Sequence, residues 1–263
     1  MINKKIIGRI IMVAVIFTFH LSPFTSAHAQ FSDYGVKVGL GLATIDDDLG
    51  TKSPILGATV GGYINYTFAK SESMLQETFF LQTGLNLTRK GNYFEEHFEN
   101  GTSLIYREGY HHAYYLQLPI LVGIHYELPI RASGHVLGIF LGPQVSYGLF
   151  GSYGDRKITP GINSPDANYD VNFNGSDEDR KVFNHIKRFD VGAIFGISYE
   201  YKEFTASLYI DRGFLATSEG VDVLRIIENN QNGSSSKVDV NIPNGHNVSY
   251  MLSLSYKLGS FNK

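Results

Sequence analysis

The chain of 263 residues has no cysteine and no tryptophan. Without cysteine there are no disulfides, thiolate nucleophiles, iron–sulfur clusters or Cys-bound zinc. Charge is scarce as well, at 18% of residues, and the net charge of −3 offers nucleic acid no basic footprint. Beyond the N-terminus no apolar run approaches the roughly 20 residues a spanning helix needs. What is present is 28 Gly, 17 Tyr and 18 Phe within a 43% hydrophobic composition. That excludes a disordered chain. It favours strands and turns over helices. The length permits one large domain or two small ones.

The first residues read as an export signal. Lys4, Lys5 and Arg9 precede the apolar run Ile10 to Phe19, and Ala27-His28-Ala29 supplies small residues for cleavage. The expected domain organisation is a signal peptide over 1–29 and one domain over 30–263. No cysteine follows the cleavage point, which excludes a lipoprotein anchor. Removing the three cations of the leader takes the net charge from −3 to −6.

Period-two alternation marks strands along the rest of the chain. From Phe189 to Tyr201 the odd positions are mostly apolar, and the even ones include Asp190, Gly192, Gly196, Ser198 and Glu200. From Asn247 to Leu258 the even positions are apolar and alternate with Asn247, Ser249, Met251, Ser253, Ser255 and Lys257. Similar segments lie at about 35–45, 57–68, 78–90, 113–128, 135–148 and 204–211. Eight strands are therefore expected. Their connections alternate strictly. Those at 69–77, 129–134 and 202–203 are short, while 46–56, 91–112, 149–188 and 212–246 are long. An up-and-down meander puts all short links on one rim and all long ones on the other, as in outer-membrane barrels.

Alternation alone does not say which face points outward. A soluble lipocalin-like barrel hides its apolar face, whereas a membrane barrel displays it. Ten glycines fall on the polar face: Gly39, Gly41, Gly57, Gly61, Gly84, Gly123, Gly138, Gly142, Gly192 and Gly196. An eight-stranded lumen has room for little more than side chains, so small residues suit it. Tyr and Phe cluster near strand ends on the apolar face, among them Tyr66, Tyr114, Tyr126, Phe189, Tyr201, Phe204 and Tyr256. They suit interfacial girdles. The expected fold is an all-β, eight-stranded antiparallel transmembrane barrel with long extracellular loops.

The segments GVKVGLGLATI (35–45), FFLQTGLNLTRKG (79–91), YYLQLPILVGIHYEL (114–128), GIFLGPQVSYGL (138–149) and RFDVGAIFGISYEY (188–201) occur in that order. In this they resemble the PorT-like outer-membrane β-barrel group common in Bacteroidetes, broadly similar to OmpA and OmpX. The resemblance implies a location in the outer membrane of a Gram-negative cell. It does not imply one activity, because such barrels include secretion-machinery parts. The chain departs from the aromatic C-terminus usual in such barrels, since Asn262 and Lys263 follow Phe261.

Strand parity sends Lys37, Glu127, Arg188, Asp190, Glu200, Asp211 and Lys257 to the lumen, with Gln82, Asn86, Gln117 and His125. These can form a structural network that plugs the barrel, or they can line a narrow pore. Arg89, and Arg212 if its strand continues past Asp211, take outward parity at the long-loop end. There they suit lipopolysaccharide phosphates or ordinary rim charge. Asp170, Asn172 and Asn174 before Gly175, with Asp177 and Glu178, match the first half of a calcium-binding loop. Its twelfth position is Lys181 instead of Glu, so a solvated acidic loop is the competing reading. No catalytic residue and no cofactor is expected beyond that calcium. His246 and Ser249 have opposite parity, and His111, His112 and His97 fall in a loop. The expected partners are outer-membrane lipid and other envelope proteins. The expected role is structural or interactive, with a small-solute channel or a secretion accessory as alternatives.

Overall fold

A computed structural model describes residues 30–46, 51–68, 77–100, 103–129, 134–159, 162–163, 167–170, 187–215, 222–228, 235–241 and 245–260. The leader predicted over 1–29 lies outside the described residues, and so does most of the acidic loop. No helix long and apolar enough to cross a membrane is found among the described residues.

The strands in chain order are β1 (Gln30–Asp46), β2 (Thr51–Thr67), β3 (Glu77–Asn100), β4 (Ser103–Glu127), β5 (His135–Thr159), β6 (Ile162–Asn163) and β7 (Ala167–Asp170). They continue with β8 (Phe189–Tyr201), β9 (Phe204–Gly213), β10 (Asp222–Glu228), β11 (Ser235–Asn241) and β12 (His246–Gly259). Eight of them close a ring. The order is β4-β3-β2-β1-β12-β9-β8-β5, with β5 pairing back to β4. Every pairing in that ring is antiparallel. Consecutive ring strands are neighbours, so the barrel is an up-and-down meander with no free edge. It is the predicted fold.

Exposure follows the predicted faces. Val36, Val38, Leu40 and Leu42 on β1, and Tyr250, Leu252, Leu254 and Tyr256 on β12, are all exposed. Residues between them, such as Lys37, Ser249, Met251, Ser253 and Ser255, are buried. A barrel in water would hide the first set, so this outer wall fits lipid. Phe204 packs on Tyr256 at 5.1 Å near the short-turn rim, and Tyr114 stacks on Phe150 at 4.8 Å toward the other. A bulge between Tyr114 and Tyr115 adds a residue to β5 and leaves both Leu149 and Phe150 exposed. The two-residue turn between β8 and β9 places Lys202 in the left-handed region, at φ 56°.

The long connections differ from expectation. Of residues 91–112, predicted as a loop, 91–100 and 103–112 are strand. β3 and β4 stay paired from Glu77↔Tyr126 up to Asn100↔Ser103. β5 likewise runs to Thr159 and pairs with β4 as far as Tyr106↔Ile158. The reason is that strand pairing above the membrane needs only backbone hydrogen bonds. Both faces there are free to be polar, and the alternation that marks a wall strand fades. Another long connection carries the β10–β11 hairpin.

Candidate functional site

The lumen is filled from both ends toward a central plug. Phe80, Leu121, Phe140, Ile194, Tyr209 and Met251 form a buried apolar cluster contributed by six different strands. Opposite these bulky groups the wall of β1, β2 and β12 is lined by Gly39, Gly41, Gly57, Ser253 and Ser255. A Cβ on Gly39 would meet Thr59 Cγ2 at 2.8 Å and Ser253 Cβ at 2.9 Å. Glycine is thus required there by the close approach of its paired neighbours on β2 and β12, in a lumen wall that the polar-face glycines marked.

Above the plug a polar chain crosses the barrel. Lys90 Nζ on β3 lies 2.7 Å from Asp211 Oδ2 on β9, with the two side chains only 1% and 2% exposed. In the ring β3 and β9 are four strands apart, so this ion pair spans the full diameter. Gln117 Nε2 donates to the same Asp211 oxygen at 2.8 Å, and its own Oε1 accepts from Thr88 Oγ1 at 3.3 Å. Thr88 in turn contacts Thr59 Oγ1 at 3.2 Å. Asn247 Nδ2 donates to Asp190 at 3.3 Å, and Ser146 Oγ donates to Gln144 at 2.5 Å. A charge-assisted pair held by further hydrogen bonds is what a buried ion pair needs to persist.

Below the plug, Phe80 and Phe140 roof a small cavity of about 30 Å³ that also meets Lys37, His125, Glu200 and Lys257. That is room for about one water molecule. Lys257 closes its mouth through an ion pair with Asp33 at 3.2 Å. Lys37 Nζ sits 5.6 Å from the centre of the Tyr209 ring, and His125 stacks on Phe80 at 4.1 Å.

Of the predicted lumen charges, Lys37, Asp190 and Asp211 are buried inside. Glu200 and Lys257 border the lower cavity, and Glu127 is half-buried beside the short-turn rim. Arg188 is a correction. It donates to Tyr147 Oη at 3.1 Å and lies 5.4 Å from that ring's centre. Tyr147 is 45% exposed on the outer wall, so Arg188 does not join the lumen network. The chain bends at Arg188, one residue before β8 begins, and strand parity does not hold across a bend. Lys90 and Asp33 escaped the sequence reading. Lys90 follows directly from the parity that turned Arg89 outward. Asp33 lies just outside the strand predicted from residue 35.

Arg89 and Arg212 both occupy outward positions. Arg212 pairs with Asp46 at 3.0 Å, and both are exposed. His112, expected in a loop, sits on β4. Its Nε2 is 3.1 Å from Ser152 Oγ, and its ring stacks on Tyr110 at 5.6 Å. Its Nδ1 has no hydrogen-bond partner, so the pair lacks the third group that would orient a catalytic base. Ser249 is fully buried in the lumen, on the opposite face from His246. Among the described residues no cluster of His, Asp and Glu could hold a metal. In the predicted calcium loop, Asn172, Asn174, Asp177 and Glu178 lie outside the described residues. Asp170 ends β7, opposite Ser152 on β5.

The profile of the outer membrane protein beta-barrel domain family matches residues 25–218. The chain belongs to that family. The match spans seven of the eight wall strands of this outer-membrane barrel, and β12 then closes the ring. Among solved structures the barrel is similar to the crystal structure of Ail, the attachment invasion locus protein of Yersinia pestis. The likeness has 9% identity, a TM-score of 0.34, and covers 87% of this chain and 99% of that one. It is similar also to Ail in complex with the heparin analogue sucrose octasulfate, at 9% identity and a TM-score of 0.32, with the same coverage of both chains. No curated protein matches the chain.

Proposed function

We propose that this barrel is a non-enzymatic, non-conducting protein of the PorT-like branch. It works as a structural or interaction element through its long-connection rim, in the outer membrane of a Gram-negative cell and after removal of the leader. The observation that carries this reading is the crossed lumen. The Lys90–Asp211 pair spans the diameter above an apolar plug, and Lys257–Asp33 closes the lower mouth. Eight strands leave little bore beyond what side chains fill. The continuation of β3, β4 and β5 past the wall supplies surface for a partner instead.

Purified protein in planar bilayers tests the plug. No single-channel steps are expected from the native chain, and clear steps would establish a narrow channel in place of the plugged barrel. Crosslinking in intact cells then identifies what meets the rim, and capture of secretion components would assign the accessory role. Incubation with lipid A tests the non-enzymatic part. Fatty-acid release that disappears in Ser152→Ala would overturn it.

A further inference from the structure

The outer wall carries a depression of about 630 Å³ that crosses from β9 to β4. Its floor is almost wholly apolar. It starts at Ala206 on β9, passes Leu254, Val38 and Val60, and ends beneath Arg89 and Tyr114. Two causes make a convex barrel concave here. Outward-facing Ala58 and Ala206 stand opposite the exposed Leu40 and Leu254. Behind them Gly41 and Gly57 leave room for the Met251 sulfur of the plug against the inner wall.

The depression has the dimensions of one leaflet. It crosses six strands, or about 24 Å along the hydrogen-bonding direction at ~4.8 Å per strand. With strands tilted about 45°, that descends roughly 17 Å, against the ~15 Å of half a hydrocarbon core. Its upper end is the long-connection rim, which faces outward in such barrels. The two outward cations on that rim are not equivalent. Arg212 is already paired with Asp46. Arg89 has no acidic partner among the described residues, and its Nε is shielded from solvent without a hydrogen bond.

We propose that this depression binds one acyl chain of a phosphate-bearing glycolipid of the outer leaflet, with Arg89 taking the phosphate. An apolar channel one leaflet deep selects an acyl chain. A guanidinium at its outer end with an unpaired, shielded Nε suits an anion at the headgroup level, and guanidinium matches phosphate geometry with paired donors. The site is on the lipid-facing wall and uses neither the lumen nor the rim sheet, so its failure would leave the proposed function standing.

The test uses the protein in phosphatidylcholine nanodiscs doped with lipid A, dephosphorylated lipid A or phosphatidylglycerol at equal mole fraction. After transfer to detergent, native mass spectrometry counts retained lipid. Lipid A is expected to be retained about tenfold over its dephosphorylated form, the scale of one charge-assisted contact. Arg89→Gln should abolish that preference, Arg89→Lys should keep most of it, and Arg212→Gln should leave it intact. Ala58→Phe, which fills the channel, should reduce retention with Arg89 present, and Ala206→Phe gives the same reading from the other end. Heat-dependent gel mobility shows that each variant is folded. Equal retention of the dephosphorylated form would overturn the proposal. So would phosphatidylglycerol retained as strongly as lipid A, or a protein dimer that Ala58→Phe dissolves.

Discussion

Lys90 and Asp211 show how much a single register decides. Neither charge could be left alone in a space where both are almost fully enclosed, and the opposite charge each needs comes from a strand on the far side of the ring. Removing one partner of a buried pair costs about 3–5 kcal/mol, because the other remains as an uncompensated charge. Replacing both with apolar groups of similar volume can be nearly neutral. Lys90→Ala is therefore expected to lower unfolding stability by about that amount. Lys90→Met with Asp211→Leu should recover most of the loss. Urea titration of the refolded protein in lipid vesicles measures all three. A single variant indistinguishable from the native chain would show that the pair does not hold the lumen together.

At the scale of the strand, the wall is set by alternation and its depth by where alternation stops. Leu252 is the most exposed large apolar side chain among the described residues, at 62%, and sits in the middle of β12. A cation at the bilayer midplane of a barrel wall costs about 2–4 kcal/mol, falling to roughly 0–1 near the interface. Leu252→Lys should be destabilising on the larger scale, while Thr44→Lys, outward near the upper end of β1, should be nearly silent. Equal costs at the two sites would contradict a lipid-facing wall. The same alternation made the eight wall strands legible in the sequence, because one face of each must be apolar along its whole membrane depth. It also placed Asp190, Asp211 and Lys37 inside. It could not pair Lys90 with Asp211, since partners across a lumen depend on the stagger of eight strands together. Nor could it follow β3 and β4 above Arg89. Residues 92–100 and 103–108 pair through their backbone, and their sequence has no continuous apolar face to reveal it. Arg188 failed for the opposite reason: parity was extended one residue past the end of a strand.

The molecule as a whole divides into a wall whose contacts lie within the membrane ring and a sheet that rises from it. The β3–β4 hairpin continues eleven residues past Arg89 to Asn100, roughly 35 Å of strand at ~3.3 Å per residue. Its upper half meets its own partner strand and the end of β5. Apart from Lys90 at its base, none of the residues of the plug, the diametric ion pair or the lower cavity belongs to it. Elements with separate contacts open and close separately. Shortening a hairpin costs little loop entropy when its new turn is well formed. Deleting residues 94–109 and joining Tyr93 to Tyr110, which face each other in register, through an Asn-Gly turn should preserve the barrel. The shortened protein is expected to keep the heat-dependent gel shift of the full chain and an unfolding midpoint close to it. In intact cells it should lose its protein crosslinks while remaining in the outer membrane. Crosslinks that survive the deletion would move the interaction surface to the β10–β11 hairpin or the remaining connections, whereas a barrel that fails to fold would show that the raised sheet helps to close the ring.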